Sequence, residues 1–377
     1  MIIMNGKYAH AMIATDNLDT NCQKQIQDLL NSPISNEQAV RIMPDTHAGK
    51  GCVIGLAMTI NLDKVSPNLV GVDIGCGVTS VPFLSHLRYD YPYETFDKII
   101  RKYIPSGGNH RKKPLTNKDG VFDYQLGTLE YTINQFLAPI DKEKAFLSAG
   151  TLGGGNHFIE LDTDGELLYL TVHSGSRFLG LEVATYYQKI ADKTTVEGNI
   201  SYLTGQAARD YLHDMALAQE YARLNREFIY QILFYEMMTT GLYNQLFMHD
   251  KIESVHNYIE DSKILRKGAV SANDGQQVLI PLNMKDGTLL CTGKGNLDWL
   301  CTAPHGAGRK VSRTVAKSIL TVDDFQNDMR GIWSSCVTKS TLDESPKAYK
   351  DPEEILENIS VMVKVDKHLK PVYNFKA

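Results

Sequence analysis

Two periods of hydrophobic and polar positions run along this chain. Short β-branched, apolar runs bounded by glycine and polar residues predict strands over 52–60, 69–73, 78–83, 157–161, 167–173, 277–282, 288–292 and 361–365. Helical spacing of apolar positions predicts helices over 92–103, 125–137, 180–192 and 206–239. The last is rich in Ala, Leu, Gln, Glu and Tyr and contains neither Pro nor Gly. The segment 157–173 reads as a hairpin, because the turn Asp162-Thr163-Asp164-Gly165 lies between two strand-like runs. Strands and helices do not alternate regularly, which argues against a Rossmann or TIM architecture. The expectation is a mixed α/β fold, with several mixed sheets and surrounding helices. No Pro- or Ser-rich linker and no internal repeat divides the chain, so residues 1–377 are expected to form a single domain.

Composition narrows the class. With 43% hydrophobic and 22% charged residues, the chain can bury a sizeable core. It has no run of 18 apolar residues, and its start, MIIMNGKYAH, lacks a basic stretch followed by a long apolar one. A cytoplasmic protein without membrane contact is expected. The six cysteines form no CxxC pair, which suits reduced thiols in a cytosol. A net charge of −5 speaks against coating nucleic acid by charge alone. Basic residues still cluster at His110, Arg111, Lys112 and Lys113, and at Arg309, Lys310, Arg313 and Lys317. Each cluster can hold a nucleic acid or be an ordinary solvated run.

The 29 glycines gather beside His, Asp, Asn and Cys, which suggests loops where backbone approaches a ligand closely. Three places carry metal-ligand types. Asp73 and Cys76 are three residues apart on a glycine-containing turn, so carboxylate and thiol can face one point. His157 and His173 begin one strand and end the next, which an antiparallel hairpin sets side by side. His256, in Val255-His256-Asn257-Tyr258, completes a mixed O, S and N set suited to Mn, Fe, Co or Zn. A lone histidine is ordinarily structural, and His10, His86, His213, His249 and His368 are read that way.

Two loops carry nucleotide chemistry. Gly150-Thr151-Leu152-Gly153-Gly154-Gly155-Asn156 can offer backbone N–H groups to phosphate, although it is no P-loop, and a plain tight turn would look the same. In His305-Gly306-Ala307-Gly308-Arg309 the glycines leave room for a bulky group at the imidazole, and the arginine can neutralise phosphate. A neutral imidazole is a competent nucleophile toward phosphorus. Ser174-Gly175-Ser176-Arg177 offers two hydroxyls and another arginine to oxyanions. A cap or turn with a surface arginine is the alternative for both.

Seven blocks occur in order: 43–51 (MPDTHAGKG), 72–77 (VDIGCG), 153–160 (GGGNHFIE), 173–177 (HSGSR), 256–258 (HNY), 303–309 (APHGAGR) and 348–351 (AYKD). Together they resemble the RtcB family of RNA ligases over nearly the whole chain. The resemblance implies that GTP guanylylates a histidine, which matches His305, and that GMP then passes to an RNA 3′-phosphate. The 5′-hydroxyl of a second RNA end attacks the RNA-3′-pp-G end and releases GMP. A 2′,3′-cyclic phosphate is opened first. Two Mn²⁺ ions are implied, held by Asp73, Cys76, His157, His173 and His256. The implied guanylate contacts are Asn156, Glu160, Gly306, Ala307, Gly308, Arg309, Tyr349 and, from its place near the chain end, Lys376. Asp45 and His47 lie in a family motif and are expected to support the metals. The expected partners are RNA ends and GTP, with tRNA splicing or RNA repair as the setting and the oligomeric state left open. Ser345 stands where the family often has methionine, and the chain ends in Ala377 rather than glycine. A paralogue that caps or repairs 3′-phosphate ends, including DNA, a metal-dependent phosphoesterase and a non-catalytic RNA-binding module are the rival readings.

Overall fold

The computed structural model describes residues 1–84, 91–195, 197–243 and 250–376. His86, His249 and Ala377 lie outside the described residues. Helices and strands are mixed, as the sequence patterns predict. A seven-stranded sheet runs through Ile252–Val255, Gly77–Phe83, Leu168–Ser174, Phe158–Thr163, Val363–Lys376, Gly287–Gly293 and Gln277–Asn283. A six-stranded sheet runs through Ile2–Asn5, His10–Ile13, Val40–His47, Ile54–Thr59, Ile264–Lys267 and Asn257–Ile259. The chain passes directly from an edge strand of the first sheet, Ile252–Val255, to an edge strand of the second, Asn257–Ile259. His256 is the single residue between them.

The Asp-Gly hairpin forms with the expected turn. Phe158 opposes His173 and Thr163 opposes Leu168, while Asp164 accepts from the backbone N–H groups of Glu166 and Leu167. Every side chain of Gly77–Phe83 and Leu168–Ser174 is buried, because helices cover one face and other strands the other.

The long helix is Gly205–Thr239, about 52 Å at 1.5 Å per residue. Its buried positions, among them Ala208, Tyr211, Met215, Ala218, Tyr221, Phe228, Ile229, Ile232 and Leu233, recur at three- and four-residue spacing and pack into the largest core cluster. The same helix buries Asp214 nearer its start and Asn225 and Arg226 close to its midpoint; the last two bear on the site.

Two sequence-based expectations fail locally. The apolar run 69–73 is not a strand. Ser66-Pro67 starts a short helix, Pro67–Val70, since proline suits the first helical turn, and Gly71 at φ 104° ends it. The strand expected at 361–365 runs instead over Val363–Lys376. Its outward Lys364, Asp366, Lys367 and Lys370 and its Pro371 weaken the apolar alternation, yet it pairs with Gly287–Gly293 over its first half and Phe158–Thr163 over its second. The register shifts between Pro371 and Tyr373, where proline has no N–H to give. This extension carries Asn374 and Lys376 to the site.

Candidate active site

The five expected metal ligands converge where the two sheets meet. Asp73 and Cys76 lie on the turn that enters Gly77–Phe83, His157 precedes Phe158–Thr163, His173 is near the end of its hairpin partner, and His256 sits at the sheet-to-sheet junction. The Cys76 Sγ lies 3.4 Å from His157 Nε2 and 3.3 Å from His173 Nε2. His173 Nε2 lies 3.4 Å from His256 Nε2, and His157 Nε2 lies 3.0 Å from Asp73 Oδ2. The donor atoms form two groups, Asp73–Cys76–His157 and Cys76–His173–His256, within each of which the ligand atoms lie inside 4.8 Å. Cys76 belongs to both.

The chemistry of this donor set fits cations. His157 Nδ1 faces Leu152 O at 2.9 Å and His173 Nδ1 faces Asn156 O at 3.1 Å. Each carbonyl holds the proton on Nδ1 and turns the Nε2 lone pair inward, as ligating histidines require. Burial holds His173 and His256 neutral, well below the ordinary imidazole range. Burial opposes ionisation of Asp73, but His157 and Arg177 outweigh it and hold the carboxyl at about 2. Burial and the Asp73 charge raise the Cys76 thiol far above its usual range. Lone pairs, a carboxylate and a thiol packed this closely repel one another unless positive charge sits among them, and a divalent cation would also deprotonate the thiol.

The scaffold beneath is made by the long helix. Arg226 donates to Gly75 O at 2.9 Å and Ser174 O at 3.0 Å, with Glu253 as its counter-ion. Asn225 accepts from Thr151 N–H at 3.1 Å and donates to Ser174 Oγ and to the carbonyls of Thr151 and Gly175. These two side chains tie the glycine-rich loop to the two ligand-bearing turns. Gly153 has φ 92°, and a Cβ there would strike Arg177 and His157, so this position of the loop requires glycine.

His305 stands beside the metal-ligand cluster, its ring centroid 4.8 Å from that of His256. It follows the short strand Thr302–Pro304, which pairs with Ala269–Ser271. Its Nδ1 donates to Asp45 Oδ2 at 2.7 Å, and its backbone N–H reaches the same oxygen at 3.2 Å. Asp45 is fully buried, and its Oδ1 has no partner. The Asp45 carboxylate thus contacts His305 and none of the five expected metal ligands. Gly308, at φ 72°, is pressed against Asp45 O, where any Cβ would collide. His47 faces the same space, held neutral by burial with its pKa lowered to about 4.

A cleft of about 660 Å³ opens over His305. Asn156, Glu160, Gly306, Ala307, Gly308, Arg309, Tyr349 and Lys376, the expected guanylate contacts, all line it, as does His173. Arg309 lies over the Tyr349 ring at 5.1 Å. Glu344, which no sequence motif singles out, is the hub of this wall. It accepts from Tyr349 at 2.6 Å, Lys376 at 2.9 Å, Arg313 at 2.5 Å and Arg309 at 3.4 Å. Burial opposes its ionisation, but Lys376 and Arg313 hold it at about 2. Asn374, also unexpected, donates to Glu160.

A second cleft, of about 390 Å³, takes in Asp73 and His157 of the cluster together with His110, Lys144 and Arg177. Asn156 lines both clefts. No helix among the described residues is long and apolar enough to cross a membrane, and all six cysteines are free.

Comparison with known proteins gives the family of the chain. The family model described as tRNA-splicing ligase RtcB matches residues 25–377. The chain is similar to RNA-splicing ligase RtcB1 of Escherichia coli, 32% identical over 364 residues, covering 86% of this chain and 87% of the relative. It is 31% identical to RNA-splicing ligase RtcB of Escherichia coli K12 with the same coverage. It is 26% identical to tRNA-splicing ligase RtcB of Nanoarchaeum equitans, over 84% of this chain and 83% of that one.

Proposed function

The chain belongs to the RtcB family of ligases, and we propose that it joins RNA 3′-phosphate or 2′,3′-cyclic phosphate ends to 5′-hydroxyl ends at the expense of GTP. The observation that carries this reading is the placement of His305, oriented by Asp45, between a nucleotide-sized cleft and a two-group metal-ligand cluster. The relatives' names state RNA splicing or tRNA splicing, and this chain is read as acting in the same setting, in the cytoplasm.

In this reading Asp73, Cys76, His157, His173 and His256 hold two Mn²⁺ ions, which supply positive charge for the phosphates. His305 does the covalent work. Asp45 keeps the proton on Nδ1, so the Nε2 lone pair is free to attack the α-phosphorus of GTP. The new bond is N–P, and pyrophosphate leaves with the electron pair of the broken P–O bond. An oxygen of the RNA 3′-phosphate then takes the guanylate from Nε2, giving RNA-3′-pp-G and a neutral His305. The 5′-hydroxyl oxygen of the second end finally attacks the RNA phosphorus, loses its proton to solvent and expels GMP. Arg309 and the N–H groups around Gly306–Gly308 face the phosphates, while Tyr349, Lys376, Asn156 and Glu160 face the nucleoside.

The test is to incubate the protein with Mn²⁺ and GTP labelled at the α-phosphate and run a denaturing gel. Label that stays with the protein, withstands base and is released by acid identifies a phosphoramidate. No label with any divalent metal, from folded protein, would remove the ligase reading in favour of a metal-dependent phosphoesterase.

Glu160 gives a pH prediction. Burial first, and the neighbouring Asp162 charge second, raise its pKa well above the usual carboxyl range. Guanine offers two donors, N1–H and the 2-amino group, and only the carboxylate can accept both. Binding therefore favours the ionised form and expels a proton. GTP affinity should rise as pH climbs through the raised pKa of Glu160 and fall below it. Calorimetry in buffers of different ionisation enthalpy should show proton release on GTP binding. Glu160→Gln should abolish that release and narrow the preference for GTP over ATP by about tenfold or more.

A further inference from the structure

Two clefts touch the metal-ligand cluster, one at His173 and one at Asp73 and His157, and only one of them is needed for the nucleotide. Resting on the ligase reading, we propose that the 3′-phosphate strand of the RNA enters through the second cleft and runs outward along residues 110–124 to an aromatic platform made by Phe122 and Tyr124.

The segment 105–124 is laid along the long helix, which serves as a ruler. At the inner end, Asn225 and Arg226 lie under the metal-ligand turns. Farther along, Leu115 packs beside Gly150 and Ile232. At the outer end Gly120 fits against the Tyr235 ring, and the chain then turns back so that Phe122 N–H reaches Gln231, level with Leu115. From Asn225 to Gln231, where Phe122 meets the helix, is six residues, about 9 Å along the helix axis. That span suits one or two nucleotides of single strand.

The chemistry along this track matches a nucleic-acid strand. Of the basic run at 110–113, Arg111 points inward and donates to the carbonyls of Tyr103, Ala149 and Gly150, so it fastens the track to the glycine-rich loop. His110, Lys112 and Lys113 are exposed, and among the described residues none of them forms an ion pair. Of the nearby carboxylates, Asp119 is bound to Thr116, and Asp123 is exposed at the start of the next helix. Phe122 and Tyr124 are 58% and 70% exposed and stack on each other, centroids 6.0 Å apart and 17° from parallel. Large aromatic rings left in water on the same segment as unpaired lysines are what a single strand uses, with phosphates on the cations and bases on the rings. The phosphodiester charge selects RNA over an apolar protein partner for this surface. A paired end would present no free base faces to the rings, so the strand must be unpaired here.

The experiment measures ligation KM for 3′-phosphate RNA strands of increasing length, in wild type, in Phe122→Ala/Tyr124→Ala and in Lys112→Glu/Lys113→Glu. Self-guanylylation by GTP, which needs no RNA, serves as the control. In wild type, KM should fall with length and level off once the strand reaches the platform. The aromatic variant should lose the last part of that gain, about tenfold or more in KM, with guanylylation unchanged. The lysine variant should weaken binding at every length that reaches it and reduce the slope of log KM against log salt by about 1.4, the share of two phosphates. Length dependence and salt slope equal to wild type in both variants, with guanylylation intact, would overturn the proposal. A wild type that never takes up guanylate would instead remove the ligase reading itself. Loss of function only in the presence of another protein, with RNA affinity unchanged, would assign the surface to a protein partner and overturn it as well.

Discussion

His305→Ala protein, mixed with Mn²⁺ and α-labelled GTP, should carry no label, and Asp45→Asn protein should be labelled on the order of 10²- to 10⁴-fold more slowly than wild type. The first outcome follows from losing the imidazole whose Nδ1 is held by the Asp45 carboxylate within the nucleotide cleft. The second tests how the nucleophile is made. Asp45 Oδ2 accepts from His305 Nδ1 at 2.7 Å, so the proton resides on Nδ1 and Nε2 is a free lone pair. An amide has two ways to fit. With its NH₂ toward the ring, it donates to Nδ1 and drives the proton to Nε2, the wrong tautomer for attack, an effect worth about 10⁴ in the serine protease triad. With its oxygen toward the ring, its NH₂ occupies the site of Asp45 Oδ1, which is buried without a partner, and the unmet donor costs about 1–3 kcal/mol. Either fit also removes the negative charge that would steady the ring once it bears the guanylate. Single-turnover labelling rates across pH measure this directly. A wild-type rate in Asp45→Asn would mean that Asp45 only fills space.

What could be read from the sequence was local. The blocks that hold ligands also hold the glycines that let the chain turn there, so Asp73, Cys76, His157, His173 and His305 are each marked by their own neighbours. The Asp164-Gly165 turn fixes the hairpin register and so brings the strand-start His157 near His173 by short-range logic alone. The partners that complete the site come from far away in the chain. Asp45 and His305 are 260 residues apart, and no periodicity links them. Glu344 lies in a short turn after Thr341, and its importance comes only from the three cations and one tyrosine that the fold points at it. Asn225 and Arg226 were hidden inside a helix whose pattern signals only burial; polar residues among apolar neighbours were the available clue. The run 69–73 suggests a strand although Pro67–Val70 is a helix, because apolar content in a short run does not distinguish the two, and Ser66-Pro67 is the better signal.

Cys76→Ala should lose tight Mn²⁺ binding at both positions, whereas His256→Ala and Asp73→Ala should each weaken mainly one. The reasoning rests on membership. Cys76 is the only residue common to Asp73–Cys76–His157 and Cys76–His173–His256, so its thiolate is the ligand that both ions would share. Removing a partner of a ligand typically costs 10- to 100-fold in metal affinity, and removing a shared ligand should cost more than about 100-fold at each position. The thiol is pushed up far above its ordinary range by burial and by the Asp73 charge, so it becomes a thiolate only when cations arrive. Titration of the metal-free protein with Mn²⁺ should therefore release a proton in wild type and in His256→Ala, and none from this position in Cys76→Ala. Stability gives an independent readout. A ligand that binds only the folded state adds about 2.7 kcal/mol at a hundredfold excess over its Kd. Wild-type protein should gain that much or more from Mn²⁺, and Cys76→Ala almost nothing. The metal-free forms should differ little, because a small buried side chain is exchanged for another. If Cys76→Ala still bound two ions with wild-type affinity, the two groups would not be joined through sulfur. His305 would then face two independent sites instead of one coupled pair.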